Sequence, residues 1–266
     1  MPLVRLHRKE DIEPFLRRNV FLHVYALGDL DDFFWPHTTW YGLEESGQLQ
    51  AMLLLYTAFE VPTLMALGDP PYGPLNRLLN LAQPVLPSRM YAHLSPGCRE
   101  VFDNTHRSES RGPHWKMALL KASLNVPGVD RAERLTVDDV EGLKALYAIG
   151  YPANWFDPRQ LEIGYYGLRE QGKLICAAGA HVYSPTQRVA ALGNIVTHPD
   201  HRGRGHAVAV TARLCAELLR TVDHIGLNVK ADNASAIACY RRLGFEPVAE
   251  YEEVMLQAAE EISGKL

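Results

Sequence analysis

The chain has 266 residues, 47% of them apolar, which is enough for one or two domains with substantial cores. Its formal net charge of -4 argues against a general nucleic-acid-binding surface, and the longest apolar run, Ala51 to Phe59, is too short to span a bilayer. The N-terminus lacks an apolar signal region, and Cys98, Cys176, Cys215 and Cys239 show neither CxxC nor metal-ligand spacing, so the expectation is a cytoplasmic protein with reduced thiols and no metal.

In chain order, Arg5-Leu6 followed by Asp11-Ile12-Glu13 reads as a strand, a cap and a helix. Tyr41 to Leu49 (Y-G-L-E-E-S-G-Q-L) reads as a β-hairpin with a glycine-containing turn. A helix is expected near Leu75 to Leu81 and a strand near Met90 to Leu94. Asn104 to Pro113 is polar and is read as a loop, and His114 to Leu124 as the last strand of this half. Asn125 to Gly128 reads as a linker.

The second half restarts the pattern. Glu133 to Leu135 is a strand, Thr136 caps a helix over Val137 to Ile149, and Tyr151 to Gly164, with Asn154, Trp155 and Asp157, is a loop and short helix. The hairpin from Tyr165 to Tyr183 opens with Tyr166 to Leu174 (Y-G-L-R-E-Q-G-K-L), which matches Tyr41 to Leu49 without a gap. Arg134-Leu135 with Asp139-Val140-Glu141 likewise matches Arg5-Leu6 with Asp11-Ile12-Glu13. Two matches in the same order indicate an internal duplication.

Val189 to Val196 is a short apolar strand. The loop of Arg202, Gly203, Arg204 and Gly205 follows, then a helix with one face made by Ala207, Val210, Thr211, Leu214, Cys215 and Leu218. Strand, glycine-arginine loop and helix together aim backbone N–H groups at one spot, at the positive end of a helix dipole, which suits a phosphate or pyrophosphate. No Gly-Lys-Ser/Thr is present, so a nucleotide P-loop is excluded, and the third small residue of a dinucleotide fingerprint is missing after Gly205. A strand at His224 to Val229, a helix over 233–243 ending at Gly244, and last strands within Val248 to Leu256 complete the chain.

Arg202-x-x-Gly205-x-Ala207 resembles the pyrophosphate loop of the GCN5-related N-acetyltransferase (GNAT) superfamily. Asn233-Ala-Ser-Ala236 to Tyr240, with Gly244-Phe245, resembles a later motif of that family. The resemblance covers about 131–257. It implies an α+β chain (α/β by some schemes) of two tandem domains, each a mixed, mostly antiparallel twisted sheet flanked by helices. Residues 1–125 would be a degenerate copy and 126–266 the acetyl-CoA-binding catalytic domain, an arrangement that resembles the glycine N-acyltransferase-like members. In the first copy Gly68 to Leu75 (G-D-P-P-Y-G-P-L) stands in the loop position with no arginine between its glycines and three prolines, so coenzyme A binding is not expected there.

The resemblance further implies an N-acyltransferase moving an acetyl or other small acyl group from acyl-CoA to an amine in a ternary complex. Arg202, Gly203, Arg204, Gly205, His206 and Ala207 would anchor the diphosphate, each charge-assisted bond contributing about 1.5–3 kcal/mol. The backbone of Ile195, Val196 and Thr197 would hold the pantetheine arm and supply an oxyanion-hole N–H. Tyr240 would protonate the leaving thiolate, its alternative being a packing and cofactor-contact residue. Asn233 would contact the cofactor near the thiol, its alternative being a plain helix cap. Family members often carry Glu on the strand before the loop, and Ala190 to Asn194 has none. His181, Glu162 and Asn194 are the remaining residues to weigh as base or water holder. The competing function is a catalytically silent acyl-CoA-binding sensor. The expected partner is a small-molecule or peptide amine, with no nucleic acid or membrane, in a monomer or homodimer.

Overall fold

The structure, a computed structural model, describes residues 3–154 and 156–259; Trp155, in the expected acceptor-side loop, lies outside the described residues. In chain order the elements are β1 (Leu3–Leu6), α1 (Lys9–Leu16), α2 (Val24–Gly28), β2 (Thr38–Glu45), β3 (Gln48–Tyr56), β4 (Thr63–Ala66), α3 (Gly73–Ala82), β5 (Arg89–Leu94), β6 (His106–Leu119), β7 (Glu133–Arg134), α4 (Val140–Gly150), α5 (Gln160–Ile163), β8 (Tyr165–Glu170), β9 (Lys173–Ser184), β10 (Val189–Thr197), α6 (His206–Leu218), β11 (His224–Lys230), α7 (Ala234–Leu243) and β12 (Phe245–Ala258). Short 3₁₀ turns join several of them, and no helix among the described residues is long and apolar enough to cross a membrane.

The chain forms two compact units, which no single cut in the sequence separates. The first takes the described residues up to Lys116, then Lys230–Asp232, and the described residues from Val248 onward; the second takes the described residues of Met117–Val229 and Asn233–Pro247. Most of β12 therefore belongs to the first unit although it lies at the end of the sequence.

In the first unit the strand order is β1-β2-β3-β4-β5-β12-β6, antiparallel at the recorded registers except for the parallel pair β4 and β5. Helix α3 presses Leu75, Leu78 and Leu79 onto Leu53, Leu55, Leu64, Met90 and Ala92. Burying each such side chain fully contributes about 1.5–3 kcal/mol. Residues 106–113, expected as a loop, are strand. Their polar side chains are mostly exposed, and strand formation there follows from pairing with a neighbour rather than from an apolar pattern.

In the second unit the order is β11-β10-β9-β8-β7, again antiparallel except for one parallel pair, β10 with β11. Helix α4 and the sheet share Leu135, Leu143, Leu146, Tyr147, Leu161, Tyr165, Leu174, Ala177 and Val196. Helix α6 buries Val210, Thr211, Leu214, Cys215 and Leu218 of the expected stripe, leaves Ala207 half-buried, and buries Val208, Ala209 and Ala212 as well.

The repeat is visible at the level of register. Arg5 pairs with Tyr41, and Arg134 pairs with Tyr166. Both hairpins turn on two residues of positive φ, Ser46-Gly47 and Gln171-Gly172, and both carry a register shift at the equivalent place, Leu43/Glu44 and Leu168/Arg169. The repeated glycines have a steric reason as well. A Cβ on Gly42 would lie 2.5 Å from Leu49, and one on Gly167 would lie 2.6 Å from Leu174.

Candidate functional site

The site of the second unit begins where β10 stops pairing. Val189 to Leu192 run parallel to His224 to Leu227, and among the described residues no register continues beyond Leu192. On its other edge β10 stays with β9, but between Gly193 and Val196 it carries one extra residue relative to the partners Gly179 and Ala177, a bulge. Asn194 takes this bulge with φ 52°, a conformation asparagine tolerates better than most residues. His198 donates its backbone N–H to Ile175 O at 2.8 Å on the β9 side. Because successive N–H groups along a strand alternate in direction, those of Ile195 and Thr197 face the side from which β11 has diverged.

The loop after β10 is open. Gly203 (φ 76°) and Gly205 (φ 80°) are left-handed, and a Cβ on either would meet nothing within 4 Å. Gly205 is the N-cap residue of α6 and no side chain caps that helix, so the first-turn amides from His206 onward face outward. Arg202 turns back: its guanidinium donates to Thr197 O at 3.3 Å and Gly150 O at 3.1 Å, bracing the loop against β10 and the end of α4. Arg204 donates to Asp200 O at 3.2 Å and is exposed. The rings of His201 and His206 face each other at 6.5 Å, and Ala207 is half-buried behind the loop. Amides, dipole and arginines fit an anionic diphosphate.

Asn233 caps α7, its Oδ1 accepting from Ala236 N at 3.2 Å and Ser235 Oγ at 3.1 Å. Tyr240, one turn beyond Ala236, is 8% exposed, and its ring meets Phe245 edge-on at 6.0 Å. Burial pushes its phenol well above the ordinary tyrosine range, so it is a proton holder and donor at any physiological pH, never a base. Gly244 ends α7 at φ 94°, and a Cβ there would lie 1.7 Å from Lys121 O.

Against the bulge lies a polar cluster that sequence reasoning resolved only in part. Tyr147 Oη donates to Asn194 O at 2.8 Å. Asn194 Nδ2 donates to Tyr165 Oη at 2.9 Å and to Gln160 Oε1 at 3.2 Å, and Tyr165 Oη donates to Gln160 Oε1 at 3.0 Å. Burial raises the Tyr165 phenol to about 12 and Tyr147 further. Gln160 Nε2 lies 3.3 Å from His181 Nδ1. Two glycines paired across β9 and β10 make room for the rings: a Cβ on Gly179 would lie 2.0 Å from Tyr165, and one on Gly193 would lie 1.7 Å from His181. Glycine inside a strand signals such a close approach, and that was the available clue to Tyr165 and Gln160. Glu162 is exposed. Among the described residues no group of His, Cys, Asp and Glu is arranged to hold a metal.

In the first unit the equivalent opening is closed. Beyond the β4–β5 pair, Ser95 donates its N–H to Ala66 O at 3.0 Å, and its hydroxyl accepts from Gly68 N at 3.0 Å.

Residues 133–245 match the family model described as the Acetyltransferase (GNAT) family. No curated protein matches the chain in sequence. Solved structures are similar over nearly its whole length. A Drosophila protein has a TM-score of 0.71 at 14% identity, covering 96% of this chain and 98% of its own. A tandem GNAT protein from the clavulanic acid biosynthesis pathway has 0.51 at 16%, covering 97% and 98%. A GCN5-related N-acetyltransferase from Sphaerobacter thermophilus has 0.52 at 16%, covering 96% and 95%. Bulge, diverging strand, open loop and family match converge: residues 133–245 are similar to the GNAT family, and the chain has the fold of the tandem GNAT protein.

Proposed function

We propose that the second unit transfers an acetyl or other small acyl group from acyl-CoA to an amine, with both substrates bound together. The observation that carries this reading is the divergence of β10 from β11 beyond Leu192, with the open amides of Gly203 to Ala207 at its mouth. The amides of Gly203, Gly205, His206 and Ala207, with Arg204, hold the diphosphate, and Arg202 keeps the loop in place. The pantetheine arm pairs with the free edge at Ile195 and Thr197, and Val196 anchors that strand in the core. The Ile195 N–H lies at the bulge, where it can meet the thioester oxygen as charge develops. Asn233 shapes the start of α7 beside the arm.

The amine nitrogen attacks the carbonyl carbon, the C–S bond breaks, and nitrogen loses the proton that sulfur gains. Tyr240 offers its O–H to the departing sulfur. Its raised pKa makes it a hydrogen-bond donor to thiolate, with full transfer completed from solvent.

Calorimetric titration with acetyl-CoA, and with CoA, ATP and NAD in comparison, tests the reading. Micromolar binding of the CoA compounds alone is expected. No heat from any acyl-CoA overturns it. The silent-sensor alternative draws on the absence of an acidic residue from Ala190 to Asn194; it predicts the same binding with no thiol release in the presence of amines.

A further inference from the structure

The residues beside the β10 bulge also limit which amine the site can use, an inference that rests on the transferase reading above. Among the described residues, the titratable groups of the Gln160 cluster are each committed elsewhere. The backbone N–H of Asp157 donates to Gln160 Oε1 at 3.2 Å, which fixes which end of that amide is oxygen. The NH₂ end therefore faces His181, so Nδ1 accepts and the imidazole carries its proton on Nε2. In that tautomer His181 is a donor toward the site. Burial also holds its pKa down at about 4.

The carboxylate of Asp157, whose N–H reaches Gln160, binds Arg159 through both oxygens, with Nη2 at 2.6 Å and Nε at 3.1 Å, and this pairing holds its pKa below the usual range. Gln160 and Asn194 are amides and relay no proton, and burial keeps Tyr147 and Tyr165 protonated. The cluster is thus neutral, and its rim is apolar and aromatic. Phe156 packs on Tyr147 at 5.4 Å and on Tyr165 at 5.5 Å, and the exposed Tyr151 lies within electrostatic reach of Tyr147.

We propose that the acceptor is a weakly basic aromatic amine, an arylamine or aryl hydrazide, that enters as the free base. An alkyl amine with pKa about 10.4 is unprotonated in only about one molecule in 2,500 at pH 7, and a site without a base carries that whole penalty. A weakly basic amine carries none, and its ring meets Phe156 and Tyr151.

The test compares benzhydrazide with benzylamine, which share a ring but differ in basicity, by thiol release from acetyl-CoA on the full chain between about pH 6 and 9. The expected result is a flat kcat/KM for benzhydrazide, and for benzylamine a value at least about a hundredfold lower at pH 7 that rises about tenfold per pH unit. Comparable turnover of benzylamine, with a profile breaking well below its own pKa, would reveal a protein base and overturn the inference while leaving the transferase reading intact. If acetyl-CoA binds and neither amine is acylated, the inference also fails. Release with any basic amine of a wider panel then keeps the transferase reading, and none at all sinks it.

Discussion

The hydroxyl of Tyr147 on α4 holds the main-chain carbonyl of Asn194 on β10 at 2.8 Å, both residues being buried. Asn194 is the one residue of β10 with positive φ, so this bond pins the bulge that turns the Ile195 N–H toward the diverging edge. Tyr147→Phe leaves a buried carbonyl one partner short, a loss of about 1–3 kcal/mol. A lower melting temperature is expected, together with a several-fold fall in kcat and little change in KM for acetyl-CoA. An unchanged melting curve would show that the bond does not hold the bulge.

Tyr240→Phe removes only the oxygen, because the ring's packing on Phe245 stays. Turnover should fall at least about tenfold, equivalent to about 1.4 kcal/mol of transition-state stabilisation, while calorimetric affinity for acetyl-CoA is retained. An unchanged rate would reduce Tyr240 to a packing residue.

Much of this architecture is legible in the sequence where local chemistry and tertiary need agree. The apolar strand, the Arg202–Gly205 loop and the stripe of α6 all form as their spacing predicts, and so does α7 between Asn233 and Gly244. The repeated hairpin also reads correctly, since turn glycines and a glycine under a leucine are sequence-local requirements. What escapes is decided at a distance. Residues 106–113 look like loop because their side chains are polar, yet their backbone pairs. The role of Gln160 depends on Asp157, Tyr165, Asn194 and His181, which only the assembled sheet brings together. Gly244 reads as a helix stop, but the close approach of Lys121 O is invisible in the motif.

Gly193 and Gly203 separate fold from binding. Alanine at 193 puts a Cβ 1.7 Å from the His181 ring, so Gly193→Ala should displace His181 and cost several kcal/mol, read as a drop in urea midpoint. Alanine at 203 meets no neighbour within 4 Å but holds a left-handed φ of 76°, a strain of about 1–2 kcal/mol. Gly203→Ala should therefore fold with a modest stability loss while weakening acetyl-CoA binding. Equal effects of both variants on stability would contradict the close packing of His181 on β10.

Stability should rise steeply between about pH 4 and 6.5. Burial lowers His23 to about 3, His93 to about 4 and His181 to about 4 from an ordinary value of 6.5. Below pH 6.5 the unfolded chain therefore binds protons at these three positions that the folded chain refuses, and folding weakens as pH falls through that window. Glu253 adds in the same direction, its folded pKa being lowered despite burial by His93, His114 and the hydroxyls of Tyr251 and Tyr91. Asp29 opposes, since burial raises its carboxyl from 3.8 to about 8 and the folded chain holds that proton more tightly. Three histidines outweigh one carboxyl, so the urea midpoint should be clearly lower at pH 4.5 than at pH 6.5. Lys116, held at about 7 by burial, should add a rise above about pH 8, where Asp29 no longer opposes it, and above about pH 9 the thiols of Cys98, Cys176, Cys215 and Cys239, all raised by burial, should reverse the trend. Asp29→Asn removes the opposing group, and the slope between pH 4.5 and 6.5 should then steepen. A midpoint that stays flat across that interval in both proteins would mean the buried histidines charge without unfolding the chain.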